Sequence, residues 1–449
     1  MTLNTTFSAF YKYIFLLFFI VATVMSSHAA NLSNNIVYAT IDAESIMTTH
    51  NDSAANAMKH WGMSVYGNPG ILMATNAEQK MYMKSKMSVS MNAEILHSAL
   101  PSDSSVFDED YNYPTIGFGV KVALNHAIKL HKPQSEAFGM AEEVDYKTKL
   151  GNTVSFYGTF ARPFLKTKRW QADYTMNVGI AYSHRKYNNV NAIDNELIGA
   201  RWLIFFGAGL HATWHFHPEW GLKFGLDYWH LSNGAMSRPN KGANIIGPSL
   251  GFIYTPYYRE TIKPINRKPE DNKYVYVEVT GGIGVKSLYE DWARTQFDTP
   301  KDDPEYRKDQ FATYATMSLQ ADLMCRYARR WASGAGVDVF YGTYYKRLRT
   351  IDEIYGHNAG HSPISVGIAA KHEIFYHNFS FAVAVGYYIY REMGHKAYLN
   401  DAPYYERVGL HYTIPKLANL KLGINVKAHK GKADFTEIVF GMPIKIKRL

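Results

Sequence analysis

One cysteine, Cys325, stands in 449 residues. That excludes an intramolecular disulfide, a thiolate metal cluster and a lipidated cysteine beside the N-terminal segment, and leaves Cys325 as a small apolar filler. Charge is sparse, at 19% of residues. Long apolar runs are missing as well. After the N-terminal segment no stretch reaches the ~18 uncharged apolar residues that mark a spanning helix. Helical insertion is excluded on that ground, but a barrel is not. A membrane strand needs only ~9–11 residues, of which every second one must be apolar.

Aromatic residues are abundant instead: Tyr 34, Phe 24 and Trp 8, or 15% of the chain. This balance suits strands that meet lipid headgroups through aromatic girdles, and it argues against disorder. At the N-terminus, Lys12 precedes an apolar run from Ile14 to Met25, and Ser27-His28-Ala29 offers small residues at the two positions a signal peptidase inspects. Residues 1–29 therefore read as a signal peptide; the run is shorter than the ~20 residues of a membrane anchor. The formal net charge of +9 suits nucleic acid or an anionic surface. Behind an export signal the matching partners are anionic lipopolysaccharide and outer-membrane lipids, not nucleic acid.

Period-two patterning dominates the rest of the chain. From Ala200 to Trp214 the even positions are Trp202, Ile204, Phe206, Ala208, Leu210, Ala212 and Trp214, all apolar, while the odd positions include Arg201, Gly207, Gly209, His211 and Thr213. From Trp220 to Ser232, Leu222, Phe224, Leu226 and Tyr228 share one face, and Gly221, Lys223, Gly225 and Asp227 the other. Charges on an inner face mark a membrane barrel; a soluble sandwich reverses the arrangement, and the pattern alone does not separate them. The signal segment and the number of strands tip the choice to an all-β, antiparallel transmembrane barrel. About sixteen strand candidates fall near 61–75, 84–97, 113–126, 150–162, 169–185, 198–214, 220–232, 244–257, 273–287, 312–327, 331–345, 363–376, 379–392, 403–414, 418–429 and 433–446. Short connections alternate with long ones, which assigns the short to the periplasm and the long to the outside. The 98–112 and 258–272 connections are longer than that rule favours. Residues 30–60 read as a periplasmic arm, 61–258 as one set of strands and 259–449 as an additional set. Whether they close as one barrel of about sixteen or two of eight is open, because sequence shows strands and not closure. Trp220 to Asp227 matches Trp331 to Asp338, and Ser249 to Gly251 matches Ser365 to Gly367, a partial internal repeat consistent with duplication.

His230 and Ser232 lie two apart on one strand and so point to one side, the lipid-facing one. Their face turns from apolar to reactive toward the outer rim, where the ester linkage of an acyl chain would sit. An imidazole beside a hydroxyl is the minimum for nucleophilic attack, since serine is weak until a base takes its proton. Asn244 opens the next strand on the same face and is placed to orient the imidazole. By spacing alone a His-x-Ser pair is a weak signal, more often met by an interfacial histidine and a turn serine than by a catalytic pair.

The string around it is more specific. His230-Leu-Ser-Asn-Gly-Ala-Met-Ser-Arg-Pro-Asn-Lys-Gly-Ala-Asn244 resembles the active-site segment of the lipid A 3-O-deacylase family (PagL type, also called acyloxyacyl hydrolases), with its His-x-Ser-Asn and Pro-Asn-x-Gly pattern. Tyr113-Pro-Thr-Ile-Gly-Phe-Gly119 and Ser155-Phe-Tyr-Gly158 are similar to that family's upstream strands. The resemblance spans about residues 61–258, and compact members are eight-stranded barrels. It implies Ser232 as nucleophile, His230 as general base, and an oxyanion site from Asn240 with backbone amides near Gly234 and Ala235; Asn233 shapes the turn. The family's orienting Glu is replaced here by Asn244, which can orient an imidazole but cannot neutralise an imidazolium.

Other clusters carry less. His211, His215 and His217 lack a carboxylate to complete a metal set and read as luminal or interfacial. In the second half the repeat sets Tyr341 and Thr343 where His230 and Ser232 stand, so it lacks the base. Arg238 and Lys241 flank the loop as candidate ligands for lipid A phosphates or as ordinary loop cations. The expectation is an outer-membrane ester hydrolase removing an acyl chain from lipid A, with no metal and no cofactor; a homodimer is compatible with the sequence. The alternative is a non-enzymatic barrel, a pore or structural protein descended from a deacylase.

Overall fold

The computed structural model describes residues 60–75, 77–131, 148–262, 273–300, 302–399 and 402–448. The signal peptide expected at 1–29, and the arm at 30–60 except for His60, lie outside the described residues.

The alternating pattern folds into two closed antiparallel barrels of eight strands each, which settles the open choice between one barrel and two. The first comprises β1 (Trp61–Met73), β2 (Met87–Ser98), β3 (Thr115–Leu124), β4 (Thr153–Lys166), β5 (Trp170–Ser183), β6 (Trp202–Trp214), β7 (Trp220–Ser232) and β8 (Ala243–Tyr254). The second comprises β9 (Tyr274–Ser287), β10 (Thr313–Arg326), β11 (Trp331–Gly342), β12 (His361–Tyr376), β13 (Phe379–Met393), β14 (Tyr404–Ile414), β15 (Leu420–His429) and β16 (Lys432–Arg448). Neighbours in sequence are neighbours in space, and β8 closes on β1 as β16 closes on β9.

Burial separates membrane barrel from sandwich. Trp202, Leu210, Leu226 and Leu250 are exposed, whereas His211, Lys223 and Asp227 on the same strands are buried. Apolar side chains outward and charges inward is an arrangement stable in hydrocarbon.

An eight-stranded barrel leaves an interior that side chains can fill. In the first, Tyr66 and Tyr157 donate to Glu94, and His211 and Asn68 bond Asp227. In the second, Lys371 bridges Glu278 (3.0 Å) and Asp322 (2.9 Å), Lys421 bridges Glu278 (2.6 Å) and Glu373 (2.7 Å), and Arg407 pairs with Asp338 (3.1 Å). Buried charges persist only when paired, and these are cross-linked across the lumen.

Long connections gather at one end of each barrel and short turns at the other; the long-connection end carries 184–201, 233–242, 288–312 and 343–360. The two connections that broke the length rule serve the junction between the barrels. The one before β3 carries a short helix, Val106–Asp110, that docks on the second barrel's turns. Asp110 pairs with Arg329 (2.7 Å), Tyr111 donates to Phe375 O (2.7 Å), and Asp108 accepts from Tyr376 and His377 (2.8 Å each). The other connection links β8 to β9.

The internal repeat pairs β7 and β8, seventh and eighth in their barrel, with β11 and β12, third and fourth in theirs. It does not align the barrels in chain order. The matched residues share an environment instead: Trp220 and Trp331 are exposed beside short turns, and Asp227 and Asp338 are buried in the lumens.

Candidate active site

At the long-connection end of β7 the outward side of the wall changes character. Leu226 is 50% exposed, Tyr228 and His230 are half-buried, and Ser232 is 9% exposed. Strand register sets Asn244 of β8 directly across from His230, and Phe206 and Ile204 of β6 across from His230 and Ser232. Asn244 Oδ1 lies 2.8 Å from His230 Nδ1 and accepts a second hydrogen bond from the Tyr228 hydroxyl at 2.6 Å. With an oxygen acceptor on Nδ1, the neutral ring carries its proton there and leaves Nε2 as the basic nitrogen. Ser232 sits two residues on, ~7 Å away along the strand, with its side chain on the same wall. Among the described residues no hydrogen bond joins its Oγ to the ring; such contacts are often open before substrate binds.

The loop after Ser232 is tightly held. Asn233 to Met236 form a turn closed by Met236 N donating to Asn233 O (3.1 Å), with Gly234 at φ 60 and Ala235 at φ 68. Positive φ at both central residues defines a type I′ turn. Ala235 pays roughly 1–2 kcal/mol to adopt it. The Asn233 amide donates to Asn240 Oδ1 (2.9 Å), which fixes the orientation of that side chain's amide, and Ser237 N donates to Asn233 Oδ1 (3.3 Å). The neighbouring loop grips from one side, where Glu196 O and Leu197 O accept from the amides of Lys241 and Gly242. The second barrel grips from the other: Thr436 donates to Gly234 O (2.9 Å) and Ser287 N to Ala235 O (2.8 Å).

Arg238 and Lys241 are both engaged by the protein. Arg238 is buried with Nε donating to Ser287 O (2.7 Å), and Lys241 forms an ion pair with Glu196. The three histidines near β6 diverge: His211 lies in the lumen beside Asp227, His215 stacks on Tyr258, and His217 is exposed. At the positions matched by the repeat, Tyr341 faces outward and Thr343 donates to Ala315 O.

Sequence reasoning passed over four residues. Tyr228 shares the face of His230 one step below it. Gly242, at φ 74, lies where any Cβ would come within 2.6 Å of His230 Cε1, so only glycine leaves room for the ring. It was visible in the Pro-Asn-x-Gly string without an assigned role. Thr436 and Ser287 come from the other barrel and carried no local signal.

Two family models match the chain. One, described as lipid A 3-O-deacylase (PagL), matches residues 112–252; the other, described as acyloxyacyl hydrolase, C-terminal domain, matches residues 275–447. Among solved structures, the outer membrane enzyme PagL is 12% identical, with 43% of this chain and 98% of that chain covered and a TM-score of 0.26. Acinetobacter baumannii OccAB1 is 9% identical, covering 86% and 97% at a TM-score of 0.21. A mutant of the Rh. blastica porin is 6% identical, covering 86% and 100% at 0.15. These structural likenesses are too slight to bear on function. No curated protein matches the chain.

Proposed function

Since the chain belongs to the lipid A 3-O-deacylase (PagL) family of outer-membrane β-barrels, we propose that it cleaves an ester-linked acyl chain from lipid A by serine catalysis at the lipid-facing outer rim. The observation that carries this reading is the His230–Asn244 contact on the outer wall, with Ser232 two residues along the same face. Lipid A diffuses laterally until its ester lies against the rim. His230 Nε2 takes the Ser232 proton as Oγ attacks the carbonyl carbon, and as the ester C–O bond breaks the protonated ring delivers that proton to the departing sugar oxygen, which leaves as a hydroxyl. Water, deprotonated by the same nitrogen, attacks the acyl-enzyme; the acyl–Oγ bond breaks, the fatty acid leaves and the ring returns the proton to Ser232. Negative charge on the tetrahedral oxygen is met by the Asn240 side-chain amide and by backbone N–H groups at Gly234 and Ala235, a type of contact worth ~10²–10³ in rate per donor. Asn233 holds the turn. Arg238 and Lys241, occupied by Ser287 and Glu196, act on lipid A phosphates only by exchanging those partners.

Asn244 in place of a carboxylate favours a second reading, a barrel of this family that has lost activity. A pore is poorly supported by lumens crossed by buried ion pairs. Purified protein in detergent with lipid A separates the readings. Ser232→Ala should lower fatty-acid release by about 10³-fold or more while the protein keeps its heat-modifiable gel mobility. Equal release by the variant would remove the serine mechanism, and no release by the wild type would favour the inactive barrel.

A further inference from the structure

We propose that the second barrel holds the oxyanion turn of the first in its working conformation, with Thr436 as the positioning residue; this rests on the reading of Ser232 as nucleophile. The turn Asn233–Met236 places Gly234 and Ala235 at its two centres, both at positive φ. Left to local preference, a Gly-Ala pair takes the type II′ turn, in which only the glycine needs positive φ and alanine keeps an ordinary one. The two turn types differ by a flip of one peptide, the one joining Gly234 to Ala235. Its carbonyl is the group that Thr436 Oγ1 holds at 2.9 Å. Because the peptide is planar and trans, fixing that carbonyl toward the second barrel turns the Ala235 N–H to the opposite side. The next peptide is fixed the same way, with Ala235 O accepting from Ser287 N at 2.8 Å while Met236 N donates back to Asn233 O.

Thr436 is a hydroxyl on the outward side of β16, in register with exposed Ile438 and Phe440. On a lipid-facing wall an unpaired hydroxyl is costly, and its partner here is the neighbouring barrel's turn. The approach is so close that a Cβ at Gly234 would stand 2.0 Å from Thr436 Oγ1. Glycine at 234 thus serves two ends, the positive φ and the contact. The second barrel, which lacks a base at the matched positions, contributes to the reaction by holding the carbonyl side of a turn whose opposite side carries the Ala235 N–H.

The test uses the full chain folded in detergent, with lipid A as substrate. Thr436→Val keeps the shape and removes the donor; kcat should fall about 10-fold or more with KM within about twofold. Thr436→Ser should recover most of kcat, and Ala235→Gly in the Thr436→Val background should recover part of it, since glycine adopts positive φ without penalty. Wild-type kcat in Thr436→Val, or a serine variant as slow as the valine one, would overturn the proposal. Should Thr436→Val fail to show the folded gel mobility, Thr436→Ala is read in its place by the same criteria. Ser232→Ala, run alongside, tells the two failures apart: if it still releases fatty acid, the reading of the site is what has failed.

Discussion

At the scale of single residues, the proposed mechanism pairs its base, His230, with an amide and not with a carboxylate. Asn244 accepts from the ring and from Tyr228, which sets the tautomer but would leave an imidazolium formed in the proposed attack without a counter-charge. Converting an orienting Asp to Asn costs about 10⁴ in a serine-protease triad, so the reverse change here should help. Asn244→Asp is expected to raise kcat by about 10-fold or more, and Asn244→Leu to lower it. Steady-state release of fatty acid at pH 7 checks both, and an unchanged rate in Asn244→Asp would mean that the ring is not the base. Much of this level was legible in the sequence, because strand alternation alone sets residues 230, 232 and 244 on one wall. Gly242 was visible as a motif letter only; its reason, room for an imidazole, needs the loop to have folded back over the ring. Thr436 and Ser287 were out of reach, since nothing local links residue 436 to residue 234.

Among elements, the short helix Val106–Asp110 ties the first barrel to the second at the end with the short turns. Burial pushes the Asp108 carboxyl up, but hydrogen bonds from His377, Tyr376 and Ser105 outweigh it and hold the group below the usual carboxylate range. A depressed folded value means that the stabilisation is complete above the ordinary carboxylate value near 3.8 and is lost as pH falls through the lower folded one. The melting temperature of the wild type should therefore drop by more than that of Asp108→Asn as pH falls below the ordinary carboxylate value near 3.8. Parallel pH profiles of the two would contradict the contact. The connection carrying this helix read only as too long for a periplasmic turn. That anomaly was real information, but its cause lies in a partner barrel some 270 residues away in sequence, at His377.

Across the whole molecule, two lumens packed with paired charges make each barrel a solid support for one rim. Removing one cation should expose the cost. Lys421→Met strips a partner from both Glu278 and Glu373 and should destabilise the second barrel by ~3–5 kcal/mol, seen as a lower temperature for the heat-modifiable gel shift. No change would mean that water already screens these charges. Strand number, strand position and the inward charge were legible from period two, because one wall faces hydrocarbon and the other a charged interior. Closure was not, since a hydrogen-bonded edge between β8 and β1 leaves no mark in composition. Chemistry at the rim is read most directly from the mass of lipid A from cells producing the wild type or Ser232→Ala. Serine catalysis by this chain requires loss of one acyl chain with the wild type and intact lipid A with the variant; intact lipid A in both, or the same loss in both, would rule it out.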